Sequence, residues 1–265
     1  GDLISKYMIK KRGFSNLKIS SAFEDFNSVE RTSYRFLVSK DKPLLQQLLN
    51  KGLKSLTLKE LDELEEKWFG KDKTIEKLDE LTIKLDDEEL SYLLKKKEIK
   101  MCVDPNWMPL ERVNENGIHE GIAADLIKKM SKQLNTKIDL INSSSWSESL
   151  ELIKDKKCDI LSLAMKTEDR SKYLDFTTAY LSFPFVIATL DRELFVENIE
   201  QILDKKIALV KGYAFTESLK QKYPNKEFIE VENVKEGLKL LSERKVFAFV
   251  DSLVSIGYSI RENNF

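Results

Sequence analysis

From Glu98 onward the chain alternates strand-type and helix-type runs, and this alternation restricts the fold more than any other feature. Ile99–Val103 reads as a strand, about Gly121 to Leu134 as a helix, Lys137–Ile141 as a strand, Ser147–Lys154 as a helix and Asp159–Ala164 as a third strand. Such a series implies a parallel sheet with right-handed crossovers. A second series follows. Ile207–Val210 is a strand, a helix runs to about Lys222, Glu227–Val231 is a strand, Val234–Ser242 a helix and Val246–Val250 a strand. The expected class is α/β. Open sheets of this kind collect ligands beyond the carboxyl ends of their strands.

The stretch Asp159–Phe185 carries the best candidate site. Its buried-type run stops at a polar turn, Lys166 to Arg170, that is expected to open a helix with N–H groups aimed at the strand end. Arg170, one turn in, adds a planar fork of donors suited to a carboxylate. Equally, Arg170 could tie the helix start to a neighbouring carboxylate such as Asp169. After the first strand, Pro105 and Pro109 stiffen the loop Asp104–Glu111 and hold Trp107 near the strand end. Asp251 closes the last strand, a position that also suits an N-cap.

At 265 residues the chain has room for one large domain or two modest ones. Its 44 basic and 45 acidic residues leave a net charge of −1, which provides no overall field for nucleic acid or membrane. No apolar run approaches the roughly 18 residues of a membrane span. There is no signal-peptide pattern, so the chain is expected to be a soluble piece of a longer protein. Cys102 and Cys158 are the only cysteines, each in or beside a strand, and read as buried free thiols. His119 is the only histidine, in the loop Asn114–Glu120, and reads as solvent-exposed. With no second histidine and no Ser–His or Cys–His pairing, hydrolase chemistry has little support, and neither a metal nor a cofactor is expected.

T-E-D-R-S-K-Y-L-D-F-T followed by A-Y, from Thr167 to Tyr180, resembles the signature of family 3 extracellular solute-binding proteins. The runs V-D-P-N-W-M-P-L-E, G-I-H-E-G-I-A-A-D-L and S-W-S-E-S-L resemble the sensor-kinase branch of that family, in which such modules occur in tandem outside the membrane. The resemblance implies a two-lobed type II periplasmic-binding fold, with lobe 1 at 98–187 and lobe 2 at 188–265. It also implies roles. Arg170 would clamp a ligand carboxylate, and Asp251, in F-A-F-V-D-S, would take an ammonium. Tyr213, in V-K-G-Y-A-F, would meet the ligand from the second lobe, and Asp104, Trp107, Met165 and Thr167 would line the cleft. Met165 stands where many members have a small hydroxyl residue and Leu163 where glycine is frequent, so a narrower, more apolar cleft is expected.

The function so implied is an extracytoplasmic, periplasmic sensor module. It would close on an amino acid or related carboxylate and signal to a membrane-linked output domain. Two alternatives stand beside it. One is an enzyme on the same fold, of dehydratase or peptidoglycan-cleaving type, with Glu111 or Glu120 as the nearest acid–base candidates. The other is a free transport receptor.

Ahead of Glu98 the pattern differs. Residues 1–14 read as a helix closed by Gly13, Leu17–Ser20 and Tyr34–Val38 as strands, and Leu44 to Gly52 as a helix. Thr57 and Glu60 cap a further helix that runs to Trp68-Phe69-Gly70, and 71–97 read as a helical linker with Asp86-Asp87 offering a cap. Strand, helix, helix and W-F-G resemble the closing elements of a family module. Leu3, Ser5, Tyr7, Ile9 and Phe14 also match Leu253, Ser255, Tyr258, Ile260 and Phe265 in registers one residue apart. Residues 1–70 are therefore expected to be the tail of an upstream module, cut out of phase. About Ser15 to Gly70 would complete the sheet within the same molecule or by swapping into a dimer, which requires Tyr34–Val38 to join the sheet of Ile99–Val103.

Overall fold

The structure, a computed structural model, describes residues 17–22, 33–69 and 83–263. The expected helix at 1–14 and the linker stretch 71–82 lie outside the described residues. The chain forms two units: Tyr34–Pro105 with Leu110–Tyr180, and Asn106–Pro109 with Leu181–Phe265 and the residues before Tyr34.

Strand β1 is Leu17–Ala22 and β2 is Ser33–Ser39. Pro43 starts helix α1, Pro43–Lys54, at the position where a missing N–H costs nothing. The helix runs two residues past the expected stop at Gly52, because Gly52 packs on Met130 rather than ending the helix. Helix α2, Leu58–Phe69, has the predicted capping box: the Thr57 N–H donates to Glu60 at 2.9 Å and the Glu60 N–H to Thr57 Oγ1 at 3.2 Å. Asp86 and Glu89 box the start of α3, Asp87–Lys96, in the same way. Then come β3 (Glu98–Cys102), the short strands β4 (Glu111–Val113) and β5 (His119–Glu120), and helix α4 (Ile122–Gln133). Strand β6 (Lys137–Leu140), helix α5 (Trp146–Lys154), β7 (Ile160–Met165) and β8 (Leu174–Phe176) complete this unit.

Its sheet runs β2-β7-β3-β6, with β8 also paired to β2. β3 is parallel to both β6 and β7, as strand–helix alternation requires, whereas β2 returns antiparallel along β7 with Tyr34 opposite Met165. Tyr34–Val38 thus enters the sheet of Ile99–Val103 within the same chain. Phe36, Val38, Leu45, Leu49, Leu56 and Leu64 from the N-terminal stretch share one core with Ile99, Met101, Leu126, Met130 and Ile160. The Trp68 indole donates to Asp125 at 2.9 Å, fastening α2 to α4.

Two cysteine and histidine expectations are overturned here. Cys102 and Cys158 are not free thiols: they form a disulfide, with Cα atoms 5.9 Å apart and both residues fully buried. Cys102 ends β3, and Cys158 lies just before β7, its parallel neighbour, so the pairing brings them within bridging distance. His119 is not a solvent-exposed loop residue. It sits on β5 with its side chain 10% exposed, because Val113 pairs with His119 and turns the ring toward buried Glu111.

Asp159, at the head of β7, is nearly buried and takes Lys96 at 2.8 Å, Lys42 at 3.2 Å and the Lys100 N–H at 2.7 Å. Burial alone would raise its pKa, but the bonds from Lys96, the Lys100 N–H and Lys42 outweigh it and hold it below the ordinary aspartate value. A depressed folded value means the stabilisation is complete above the unfolded value, about 3.9, and is lost as pH falls through the folded one. Asp159→Asn is therefore expected to destabilise the protein at pH 7 and to flatten the acid limb of its stability profile below about pH 4. Urea unfolding across pH checks this, and an unchanged acid limb would refute the role assigned to Asp159.

The second unit contains β9 (Phe185–Leu190), β10 (Ile207–Val210), helix α6 (Ala214–Lys222) and β11 (Ile229–Val231). Helix α7 (Val234–Ser242), β12 (Ala248–Ser252) and helix α8 (Leu253–Asn263) follow. Its strand order is β1-β9-β12-β10-β11, parallel within β12-β10-β11 and antiparallel for β1 and β9. Gly212, at φ +73°, makes the turn from β10 toward α6 that a side chain would strain.

Candidate functional site

Three predicted residues meet in the second unit. Asp251 lies on β12, 1% exposed, and its Oδ1 accepts the Ser252 N–H at 2.6 Å. The Trp107 indole N–H also donates to that oxygen, at 3.4 Å, a long bond. The Tyr213 ring packs on Trp107 with centroids 4.9 Å apart and planes tilted by 52°. Both rings are buried. A buried carboxylate beside a packed pair of aromatic rings is a chemistry suited to an ammonium. The N-cap role is taken by the neighbour, whose Ser252 Oγ accepts the Ser255 N–H at 3.3 Å.

The other predicted residues belong to the first unit. Strand β7 ends at Met165, and no α-helix follows: Arg170–Lys172 is a single 3-10 turn, too short for the aligned N–H groups expected from the sequence. Thr167 builds the turn instead. Its Oγ1 accepts the Arg170 N–H at 3.1 Å, and its carbonyl accepts the Ser171 N–H at 2.9 Å. Arg170 is 3% exposed. Its Nη1 donates to the Met165 carbonyl at 3.0 Å and its guanidinium lies 5.6 Å from the Trp146 ring centroid. Asp169 turns away to Lys172 at 2.5 Å, so the alternative partner proposed for Arg170 is engaged elsewhere. Asp104, after β3, is 4% exposed and its N–H donates to Glu111 Oε1 at 2.9 Å. Hence Arg170, Met165 and Thr167 form one cluster, Asp251, Trp107 and Tyr213 another, and Asp104 stands with Glu111.

Sequence reasoning missed Trp146, the ring beneath Arg170, and the buried partners of Glu111. Trp146 had a signal, since it opens the S-W-S-E-S-L run, but nothing in the linear chain aimed it at Arg170. Among the described residues no group of His, Cys, Asp and Glu side chains could hold a metal ion. No described helix is long and apolar enough to cross a membrane.

A family model for bacterial extracellular solute-binding proteins, family 3, matches residues 99–247. The sensor protein EvgS of Escherichia coli O157:H7 is 25% identical over 239 residues, 89% of this chain; the chain spans 19% of that sensor's own length. The amino-acid-binding protein AabA of Dichelobacter nodosus is 24% identical over 119 residues, 44% of this chain and 46% of that protein. Among solved structures, a histidine kinase sensor domain with similarity to periplasmic binding proteins superposes with a TM-score of 0.60 at 22% identity, over 63% of this chain and 73% of the other. The VFT2 domain of Bordetella pertussis BvgS gives 0.59 at 17% identity, over 67% and 76%. These structures establish the fold, the α/β type II periplasmic-binding architecture. With residues 99–247 of its 265 matched by the family model, the chain belongs to the bacterial extracellular solute-binding proteins, family 3.

Proposed function

We propose that this chain is an extracytoplasmic ligand-binding sensor module for a small zwitterionic solute, an amino acid or a close relative. The observation that carries the reading is the buried Asp251 carboxylate with Trp107 and Tyr213 around it, a seat for an ammonium. Arg170, buried on Trp146 at the end of β7, offers the matching seat for a carboxylate. Each seat would hold its charged group through charge-assisted bonds, and a ligand contact made in one conformation only is what makes a response ligand-dependent. The similarity to EvgS supports a parent protein that is membrane-anchored and passes the signal on. The buried Cys102–Cys158 disulfide supports an oxidising compartment such as the periplasm. Residues 34–69 fit the same picture as the return strand and closing helices of an upstream module.

Under the enzyme alternative, both carboxylates named as acid–base candidates have bonds of their own. Both oxygens of Glu111 are occupied, by the Asp104 N–H and by the Ser162 hydroxyl. Glu120 is bonded to Arg112 and Asn114, and the Arg112 bond first, then Asn114, holds its carboxyl below the ordinary glutamate value. It is thus ionised and unsuited to donate a proton. Thermal-shift and calorimetric screening with the standard amino acids and small carboxylates tests the proposal. Saturable stabilisation by a zwitterion without turnover is the expected result. Stabilisation by none of them, or consumption of the bound compound, would overturn it.

A further inference from the structure

Among the described residues of the first unit Glu111 is the most deeply buried carboxylate, 0% exposed, and it lies outside both anchor clusters. Its Oε1 accepts the Asp104 N–H at 2.9 Å. Its Oε2 accepts the Ser162 hydroxyl in a short bond and faces His119 Nε2 at 3.2 Å. With a proton on Nε2 the imidazole is the third donor, and a carboxylate has lone pairs for all three. The donors come from three places: the loop after β3, the middle of β7 and strand β5. The close approach that allows this depends on Gly121, at φ +117°, where a Cβ would stand 2.5 Å from the Leu110 carbonyl and 2.7 Å from Glu111 Cα. Ser162 is three residues upstream of Met165 on β7, so the carboxylate holds the strand that ends in Met165, Thr167 and Arg170.

We infer that Glu111 is a positioning residue for the Asp104 backbone and the β7 end, and that the protonation state of His119 sets how tightly it holds them. This rests on the ligand-binding reading only for its consequence, since the brace itself is visible without a ligand. The chemistry is simple. An imidazolium at Nε2 gives Glu111 a charged donor, whereas a neutral ring leaves that buried carboxylate with neutral donors only, and charge-assisted bonds are roughly twice as strong. His119, 10% exposed, is within reach of solvent protons.

Other ionisable groups lie near Glu111. Arg112, beside it on β4, is paired with Glu120 of β5 at 2.7 Å. Asp104 approaches through its N–H. Tyr180 donates to the Ser162 carbonyl at 2.5 Å, and burial first, then the Glu111 charge, raises its pKa well above 10, so it stays neutral.

Nitrogen-15 NMR of the whole chain between pH 5.5 and 8 tests the inference, following the Asp104 amide and the Arg170 amide and side chain. In the native protein these signals are expected to move with one common ionisation, and Asp104 amide exchange to be slower on the acid side. His119→Gln, which keeps an N–H donor but cannot titrate, should abolish that pH dependence. Glu111→Gln should speed Asp104 exchange at least tenfold. If Glu111→Gln does not fold, His119→Gln still decides the matter. Signals indifferent to pH, or a pH dependence that survives His119→Gln, would overturn the inference. Adding L-arginine and L-glutamine to the same samples separates the two proposals. A brace that responds to pH while neither compound binds supports the brace and counts against the amino-acid reading alone.

Discussion

Replacing Cys102 and Cys158 together by alanine is expected to lower the stability of the chain by about 4 kcal/mol. The bridge joins residues 56 apart in sequence, so in the unfolded chain it closes a long loop whose entropy is otherwise free. It also staples β3 to β7, the two neighbours whose ends carry Asp104 and the Met165–Arg170 turn. Both cysteines are fully buried, which makes alanine a better replacement than serine, because a serine hydroxyl there would add the cost of an unpaired polar group. Urea unfolding should show the double variant and the reduced native protein falling to the same lowered midpoint. A native protein whose midpoint ignores a reductant strong enough to open the bridge would refute the stabilising role.

The architecture was legible because its signals are local and repeated. Periodicity located the parallel strands after Glu98 and the helices between them, though not the short strands β4, β5 and β8, and the capping box at Thr57–Glu60 fixed a helix start. The entry of Tyr34–Val38 into the sheet was legible for a different reason. A sheet short of a strand leaves backbone unpaired, and Y-R-F-L-V was the better of the two strand-type runs ahead of Glu98. The cysteine and histidine readings failed because strand pairing decides their partners. Cys102 and Cys158 looked unremarkable until β3 and β7 became neighbours, and one strand register decided their chemistry. His119 sits in a polar loop sequence, but pairing of β4 with β5 turns its ring onto Glu111, eight residues away.

The candidate site divides along the same line. Candidate residues could be taken from short motifs at strand ends, but how each is held could not. A helix was expected after Lys166 because a polar turn commonly opens one. The chain instead makes one 3-10 turn and enters β8, which pairs with β2 and so requires extended backbone. Arg170 is therefore oriented by the Met165 carbonyl and the Trp146 face rather than by a helix start.

Arg170→Ala and Asp251→Asn should each cost about 2–5 kcal/mol in binding of the zwitterion found by screening, on the order of 30-fold to several-thousand-fold in Kd. The two losses differ in kind, and the difference is diagnostic. Asp251→Asn keeps an oxygen for the Trp107 indole and the Ser252 N–H and removes only the charge, so the seat keeps its shape. It should weaken the amino acid but leave its deaminated acid nearly unaffected. Arg170→Ala should do the reverse, weakening the deaminated acid while sparing the decarboxylated amine. Arg170→Lys should restore little, since an ammonium cannot make the bidentate fork or lie flat on Trp146. Calorimetric titration of the four proteins with the three compounds measures each of these terms. Equal losses for all three compounds in both variants would mean that the residues act through general destabilisation, and neither would then be an anchor for the charged end assigned to it.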